Sequence, residues 1–195
     1  PAEKFDRATG SKKRRVRDTA GGDRISVGFS VSTPTASMVL NNIHLNAVVS
    51  ENAIFGTADI VDYYLGTPLP SPGSIKMYLA GYPLSVLEDL GLVPYFQYDD
   101  KKRLFIFADI VKTMPGLPQS GFYSQQRLIT HLATGGYYQT STPMLFRHET
   151  RDIDFTLVVD DFGVKYKRLA DWAHFYDHLK LLYPLKENPV GTRFL

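Results

Sequence analysis

The chain has 195 residues, of which 44% are hydrophobic and 13% aromatic, and its 22 Lys and Arg exceed its 20 Asp and Glu by a net charge of +2. This composition is sufficient for one compact domain or a closely joined pair, and it excludes a wholly disordered chain. The absence of cysteine excludes disulfides and thiolate metal sites, and it fits an intracellular protein, either cytoplasmic or nuclear. No apolar run is long enough to cross a membrane and no secretory signal is visible, so we expect no membrane partner.

The first part of the chain, residues 1–24, is polar and charged, and it predicts a flexible basic arm that leads into a strand. Residues 12–17 read Lys-Lys-Arg-Arg-Val-Arg, a run that attracts phosphates or marks a nuclear import signal. A solvated arm explains the run equally well. Because the total charge is low, nucleic-acid binding would have to come from a local groove. The remainder, residues 25–195, is predicted to form one core.

Apolar residues that recur every three or four positions predict helices over residues 36–49 and 169–183, and the segment that follows Gln119 has helical character through Thr134. Short apolar runs predict strands at residues 53–60, 104–111, 137–140, 144–148, 155–159 and 162–166. Residues 67–73 are rich in Pro, Gly and Ser and predict a loop. Helices mixed with antiparallel hairpins predict the α+β fold class.

Three acidic residues suggest a chemistry: Asp59 near the end of an apolar strand, and Asp160-Asp161 between two strands. Burying a carboxylate is unfavourable unless it is paired or binds a cation, and carboxylates gathered at one sheet edge repel one another. Two Mg²⁺ ions would relieve that repulsion, activate an attacking hydroxyl and stabilise a leaving pyrophosphate. The alternative is that Asp160-Asp161 is an ordinary hairpin turn, since aspartate tolerates tight-turn conformations.

Four segments resemble, in order, the polymerase motifs of reverse transcriptases, closest to the copia class of LTR retrotransposons. The basic stretch followed by residues 21–24 resembles the fingers segment, and residues 59–68 resemble the first catalytic segment. Residues 116–121 resemble the Leu-Pro-Gln-Gly segment, and residues 157–161 resemble the Tyr-x-Asp-Asp hairpin. The resemblance implies a right-hand polymerase palm, with an antiparallel sheet and helices, together with partial fingers.

The resemblance also implies roles for seven residues: metal binding by Asp59, Asp160 and Asp161, and nucleotide binding by Tyr64, Gln119, Arg15 and Arg17. The metal would be two Mg²⁺ ions, with Mn²⁺ as a substitute. Tyr64 would be the steric gate that excludes a ribose 2′-hydroxyl, and Gln119 would orient the incoming nucleotide. Judged from the residues alone, Tyr64 is also suited to a core position and Gln119 to the start of a helix.

The implied function is an RNA-directed DNA polymerase that adds deoxynucleoside triphosphates to a primer on an RNA or DNA template. The chain departs from the family pattern at Val158, where Tyr or Phe is usual, at Met114-Pro115, where Tyr is common, and at Asp18, where an apolar residue is typical. We expect a fragment of a retroelement polyprotein, with the thumb short or missing and no RNase H domain. The alternative is a catalytically inactive remnant that still binds nucleic acid.

Overall fold

The computed structural model describes residues 2–5, 12–15 and 19–191 of the chain. Within these residues the strands are, in chain order, β1 (Ala2–Phe5), β2 (Lys12–Arg15), β3 (Ile54–Ile60), β4 (Lys76–Ala80), β5 (Gln97–Tyr98), β6 (Leu104–Asp109), β7 (Tyr137–Gln139), β8 (Leu145–His148), β9 (Ile153–Val158), β10 (Asp161–Tyr166) and β11 (Leu185–Asn188). The helices are α1 (Met38–Ser50), α2 (Leu84–Asp89), α3 (Ser120–Thr134) and α4 (Leu169–Lys180), with 3₁₀ turns at Gly22–Arg24, Tyr64–Gly66 and Val93–Tyr95.

The strands form three antiparallel sheets, a β1-β2 ribbon, a six-stranded sheet and a three-stranded sheet. The order in the six-stranded sheet is β11-β3-β10-β9-β8-β7, so that β3 and β10 are interior strands with neighbours on both sides. Helices packed on antiparallel sheets belong to the α+β class, as the sequence predicts. Among the described residues, no helix combines the length and the apolarity that crossing a bilayer demands.

One face of the six-stranded sheet packs against α3 and α4, because alternate residues of β9 and β10 are apolar and point to that side. The ring of Phe175 on α4 lies 5.0 Å from that of Phe155 and 5.4 Å from that of Phe162, measured between centroids. Trp172 covers Gly56 of β3 so closely that a Cβ there would lie 2.4 Å from the indole. Trp172 is therefore a packing anchor against the sheet.

The opposite face of the same sheet packs against α1 through polar contacts. The helix begins after Ser37, whose hydroxyl accepts a hydrogen bond from the Leu40 N–H at 3.1 Å. Nε2 of His44 lies 2.7 Å from Oδ1 of Asp154, and Nζ of Lys165 lies 3.0 Å from Oδ2 of the same carboxylate. Burial opposes ionisation of Asp154, but the hydrogen bonds from His44 and Lys165 outweigh it, so the pKa of Asp154 is lowered.

The three-stranded sheet has the order β4-β6-β5 and lies over a second, smaller apolar cluster formed by Leu69, Ile110 and Leu117. Ala20 and Ile25 from the first part of the chain pack against this cluster. The predicted loop at residues 67–73 leads into β4, and it contains no helix or strand. Residues from the N-terminal segment and from the segment just before α3 therefore pack in the same apolar cluster.

The helices and strands predicted from residue 36 onward are all present, with ends that differ by a few residues. Within residues 1–24, predicted to form a flexible arm, the described residues contain the β1–β2 ribbon and a 3₁₀ turn. Two features differ from the sequence expectation. The strand expected after this arm is absent, because residues 25–37 contain neither helix nor strand. Residues 185–188, for which the sequence predicts no strand, form the edge strand β11.

Candidate active site

Two of the predicted site residues, Asp59 and Asp161, lie directly opposite each other on neighbouring interior strands. Asp59 is the penultimate residue of β3, and Asp161 is the first residue of β10 and its register partner. Side chains of opposed residues in an antiparallel pair point to the same face, with Cβ atoms about 4.5–5.5 Å apart. Both side chains are half-buried. The sheet therefore brings together two carboxylates that are separated by about a hundred residues in the sequence.

The hairpin that carries the other acid turns one residue earlier than the sequence predicts. β9 ends at Val158 and β10 begins at Asp161, so the turn consists of Val159 and Asp160 rather than Asp160-Asp161. Val159 has φ of +60°, a conformation that is strained for a β-branched residue by about 1–3 kcal/mol. Asp161 is consequently a strand residue that pairs on both sides, so turn formation does not explain its presence.

The carboxylate of Asp160 completes the group. Burial raises the pKa of Asp161, and the negative charges of Asp160 and Asp59 raise it further. The backbone N–H of Ile60 donates to the carbonyl oxygen of Asp160 at 3.1 Å, which fixes the turn beside the end of β3. The three acids therefore share one edge of the sheet closely enough to repel one another.

A lysine that the sequence analysis did not single out lies beside these acids. Lys186 of β11 is the register partner of Asp59 on the side away from Asp161, and its Nζ lies 3.5 Å from Oδ2 of Asp59. Both side chains remain substantially exposed, so the pair adds little to stability. No signal in the sequence could have found Lys186, because a four-residue polar strand at a sheet edge has no distinctive pattern.

The chemistry of the three carboxylates suits a hard cation such as Mg²⁺, which prefers oxygen ligands and retains several waters. Besides burial, the negative charges of Asp160 and Asp59 raise the pKa of Asp161, and a divalent cation would offset this negative charge. Within the part of the chain that the structure describes, no group of three or more His, Cys, Asp or Glu side chains is placed to hold a metal ion as it stands. The acids thus fit a hard cation by donor type and charge.

Tyr64 lies next to the acids, in the 3₁₀ turn that follows β3. Burial raises the pKa of the Tyr64 phenol, and the charge of Asp160 raises it further, which places the two groups within electrostatic range. The neighbouring Tyr63 is the fully packed core aromatic, whereas Tyr64 is half-buried. A crevice of only about 10 Å³ separates Tyr64 from Val159 and from Gly121 of α3. A nucleotide would therefore have to lie over this crevice rather than inside it.

Helix α3 holds the Tyr64 turn in place. The hydroxyl of Thr113 donates to the carbonyl of Tyr64 and lies 3.1 Å from the hydroxyl of Ser124, and Arg127 donates to the carbonyl of Gly66. Thr113 lies before, and Ser124 and Arg127 lie after, the segment of residues 116–121. The Tyr64 turn is therefore held by residues that flank this segment.

Gln119 itself is the residue immediately before α3, and its side chain makes no capping hydrogen bond. Its side chain is buried, and Oε1 has no hydrogen-bond partner. Leaving a buried polar atom without a hydrogen-bond partner typically costs about 1–3 kcal/mol of folding free energy. Gln119 does not line the crevice beside Tyr64. The Gln119 side chain is therefore buried before α3 and lies outside the crevice beside Tyr64.

The segment before Ile25 lies against the segment before Gln119. The Ala20 N–H donates to the Pro115 carbonyl at 2.9 Å, and a Cβ on Gly22 would lie 1.8 Å from the Gly116 carbonyl oxygen. A backbone contact therefore joins these two regions. Of the two arginines expected to contact phosphates, Arg15 is the last residue of β2, and Arg17 lies outside the described residues.

Comparisons of the chain with known protein families, with curated protein sequences and with solved structures found no match.

Proposed function

We propose that this chain is the fingers-and-palm core of an RNA-directed DNA polymerase, which transfers deoxynucleotides to the 3′-hydroxyl of a primer. The observation that carries the proposal is the position of Asp161. It is a half-buried carboxylate on an interior strand, directly across from Asp59 and next to Asp160. Three mutually repelling acids in one place destabilise a fold, and a cation-dependent function is the physical reason to keep them there.

In this proposal Asp59, Asp160 and Asp161 hold two Mg²⁺ ions, or Mn²⁺ in their place. When bound, the metal supplies charge that favours the ionised 3′-hydroxyl of the primer and offsets the charge of the leaving pyrophosphate. The strand pairing of Asp59 and Asp161 fixes the spacing of two ligands before substrate arrives. Asp160, in the two-residue turn before β10, is the third ligand.

The same proposal assigns four residues to binding of the incoming nucleotide. Tyr64, held by Thr113 and α3, closes the site against a ribose 2′-hydroxyl. The resemblance assigns the orienting of the base to Gln119, whose side chain is buried in this structure. Arg15 and Arg17 hold the triphosphate of the incoming deoxynucleotide. The template-primer occupies the open side of the acids, and the rest of a retroelement polyprotein supplies whatever further domains the reaction uses.

A second candidate is a catalytically inactive remnant that binds nucleic acid with the same fold. The contact between Lys186 and Asp59 favours it, because an ammonium group can neutralise part of the acidic charge in place of a metal. Val158, at the position where the family usually carries Tyr or Phe, points in the same direction.

Primer extension on an RNA template with Mg²⁺ and deoxynucleotides separates the two candidates. We expect extension by the wild type, and a rate at least about 10³-fold lower for Asp160→Asn, because loss of a metal ligand removes several kcal/mol of transition-state stabilisation. The matched control is Asp62→Asn, since Asp62 is exposed, lies three residues after Asp59 and has φ of +53°, which asparagine also tolerates. Template binding by the wild type without any extension would instead identify the remnant.

A further inference from the structure

The three-stranded sheet exposes a cluster of aromatic rings that no part of the proposed active site uses. The Tyr78 ring on β4 lies 5.0 Å from that of Phe105 and 5.7 Å from that of Phe107, both on β6, and the two phenylalanines are 5.5 Å apart between centroids. Tyr78 and Phe107 are 47% and 52% exposed. Contiguous exposed apolar patches on a protein surface mark interaction sites when they are large enough.

The register shows that the cluster is one face of the sheet. Tyr78 is the register partner of Phe107, and Phe105 lies two residues before Phe107, so the three side chains point to the same side. The aliphatic side chains of the same two strands, Leu79 and Ile106, point to the other side and are more buried. The exposed face is therefore selectively aromatic, which the burial of a core does not require.

Cations lie at both ends of this aromatic face. Lys76 is two residues before Tyr78 on the same face, where its Nζ lies 2.8 Å from Oδ1 of Asp109. Arg103 is two residues before Phe105 and pairs with Asp99 at 2.7 Å while its side chain stays 67% exposed. Lys101 and Lys102 precede it in an exposed turn, so three consecutive cations lie at this end.

A shallow concavity of about 540 Å³ adjoins the cationic end of the face. Arg103 and Tyr82 line it, together with Gly81, which has a positive φ and leaves the floor without a side chain. The volume lies in the range of small-ligand sites, and its lining is mainly apolar with one cation. A base or a sugar fits such a lining better than a metal ion does.

We infer that this face binds single-stranded nucleic acid, with bases stacked on Tyr78 and Phe107 and phosphates held by Arg103 and the lysines beside it. Exposed aromatics on a sheet, bordered by cations, form a stacking platform that tolerates any base, and such a sheet takes two or three bases. The face shares no residue with the acids around Asp160. The inference therefore goes beyond the proposed polymerase function and does not depend on it.

The test uses the full chain and a short fluorescein-labelled oligothymidine, with fluorescence anisotropy as the readout. We expect wild-type binding that weakens as salt is raised, and binding at least about tenfold weaker for the Tyr78→Ala/Phe107→Ala double variant. The matched control is Tyr95→Ala/Tyr98→Ala, which removes two rings that are 64% and 71% exposed. Tyr98 is the register partner of Leu104 and so lies on the other side of the sheet.

Thermal unfolding of both double variants shows whether each one folds. Absence of wild-type binding overturns the inference, as does equal loss in the two double variants. A wild-type dimer in sedimentation that Tyr78→Ala/Phe107→Ala converts to monomer, with oligonucleotide binding unchanged, assigns the face to self-association instead. Failure of primer extension leaves the result for this face unaffected.

Discussion

Asp161 begins an interior strand, where burial and the charges of Asp160 and Asp59 raise the pKa of its carboxyl. A carboxyl whose pKa is raised by folding is ionised more easily in the unfolded chain. Between the unfolded and the folded pKa, the unfolded state therefore binds fewer protons than the folded state. Its contribution to stability is therefore fully present below the unfolded pKa of about 3.8 and is lost as pH rises through the folded value.

Replacing this carboxyl should stabilise the fold while removing activity. We expect Asp161→Asn, without divalent cations at neutral pH, to gain about 1 kcal/mol, or about 2–4 °C in Tm, because the repulsion with Asp59 and Asp160 disappears. The gain should shrink as pH falls toward the unfolded pKa of about 3.8, because the wild-type carboxyl of the folded chain becomes increasingly protonated. Calorimetry against Asp152→Asn, which removes an exposed acid paired with Lys167, provides the comparison. A lower Tm for Asp161→Asn at neutral pH would show that the acids do not repel one another.

The acids at this site were predictable from the sequence, but the turn between them was not. Aspartate is a common turn residue, so the sequence places the turn at Asp160-Asp161, whereas the structure places it at Val159 and Asp160. Val159 adopts a positive φ that its side chain disfavours, and only long-range pairing of β10 with β3 can hold it there. Lys186 could not be predicted, because its position depends on the same pairing through β11.

Four histidines gather where α3, α4 and β8 meet, on the far side of the sheet from α1. His131 and His178 stack with ring centroids 4.3 Å apart, and each Nε2 lies 2.8 Å from the backbone carbonyl oxygen of the other residue. His148 and His174 approach edge to face at 5.0 Å. The spacing of His174 and His178 in the sequence indicates a shared helix face, but not this cluster.

The hydrogen bonds of His148 require a neutral imidazole, because its Nδ1 accepts from the backbone N–H groups of Thr150 and Arg151 at 3.1 Å. Nδ1 of His174 lies 2.9 Å from the Tyr137 hydroxyl. Burial lowers the pKa of both histidines, and the charge of Arg151 lowers it further. Burial also lowers the pKa of His131.

Acidification should therefore loosen α4. A histidine pKa lowered by folding means that the unfolded chain binds more protons, so stability is lost as pH falls below the unfolded pKa of about 6.5. We expect urea unfolding, followed by the emission of Trp172 on α4, to show lower stability near pH 5 than near pH 7.5. In His131→Phe, which keeps a ring against His178 but cannot titrate, the difference should be smaller. Equal stability at the two pH values would contradict the neutral cluster.

Elements with strong periodicity were predicted well, and elements defined by pairing were not. α4 carries apolar residues at helical spacing, and β9 and β10 are apolar runs, so each is present within a few residues of its predicted bounds. β11 is polar and four residues long, and it exists only because β3 offers it a hydrogen-bonding edge. The residues of β11 themselves do not indicate that β3 will pair with them.

At the scale of the whole molecule, the contact between residues 20–22 and 115–118 joins the N-terminal segment to the start of α3. Gly116 has φ of +93°, and a Cβ there would lie 2.1 Å from the Ala20 carbonyl oxygen. No other residue type fits this backbone conformation and this contact together. The sequence resemblance placed both segments near the nucleotide, but only the folded chain shows that their backbones touch.

Breaking this contact should separate the two segments without unfolding the large sheet. We expect Gly116→Ala to weaken the local structure by about 1–3 kcal/mol through backbone strain and the clash with Ala20. Hydrogen exchange should become faster at residues 19–25, while β9 and β10 keep wild-type rates. Gly28→Ala is the control, since a Cβ on Gly28 meets nothing within 4 Å. Faster exchange throughout the large sheet would show that the contact supports the entire fold.

The central claim is that Asp59, Asp160 and Asp161 act together as one metal-binding group. Electron paramagnetic resonance of free Mn²⁺ measures it directly, as the number of ions bound by the wild type and by Asp59→Asn and Asp160→Asn, with Asp62→Asn as control. The account predicts up to two ions for the wild type and the control, and markedly weaker binding in both site variants. Wild-type binding that is absent, or that survives both substitutions unchanged, would contradict it.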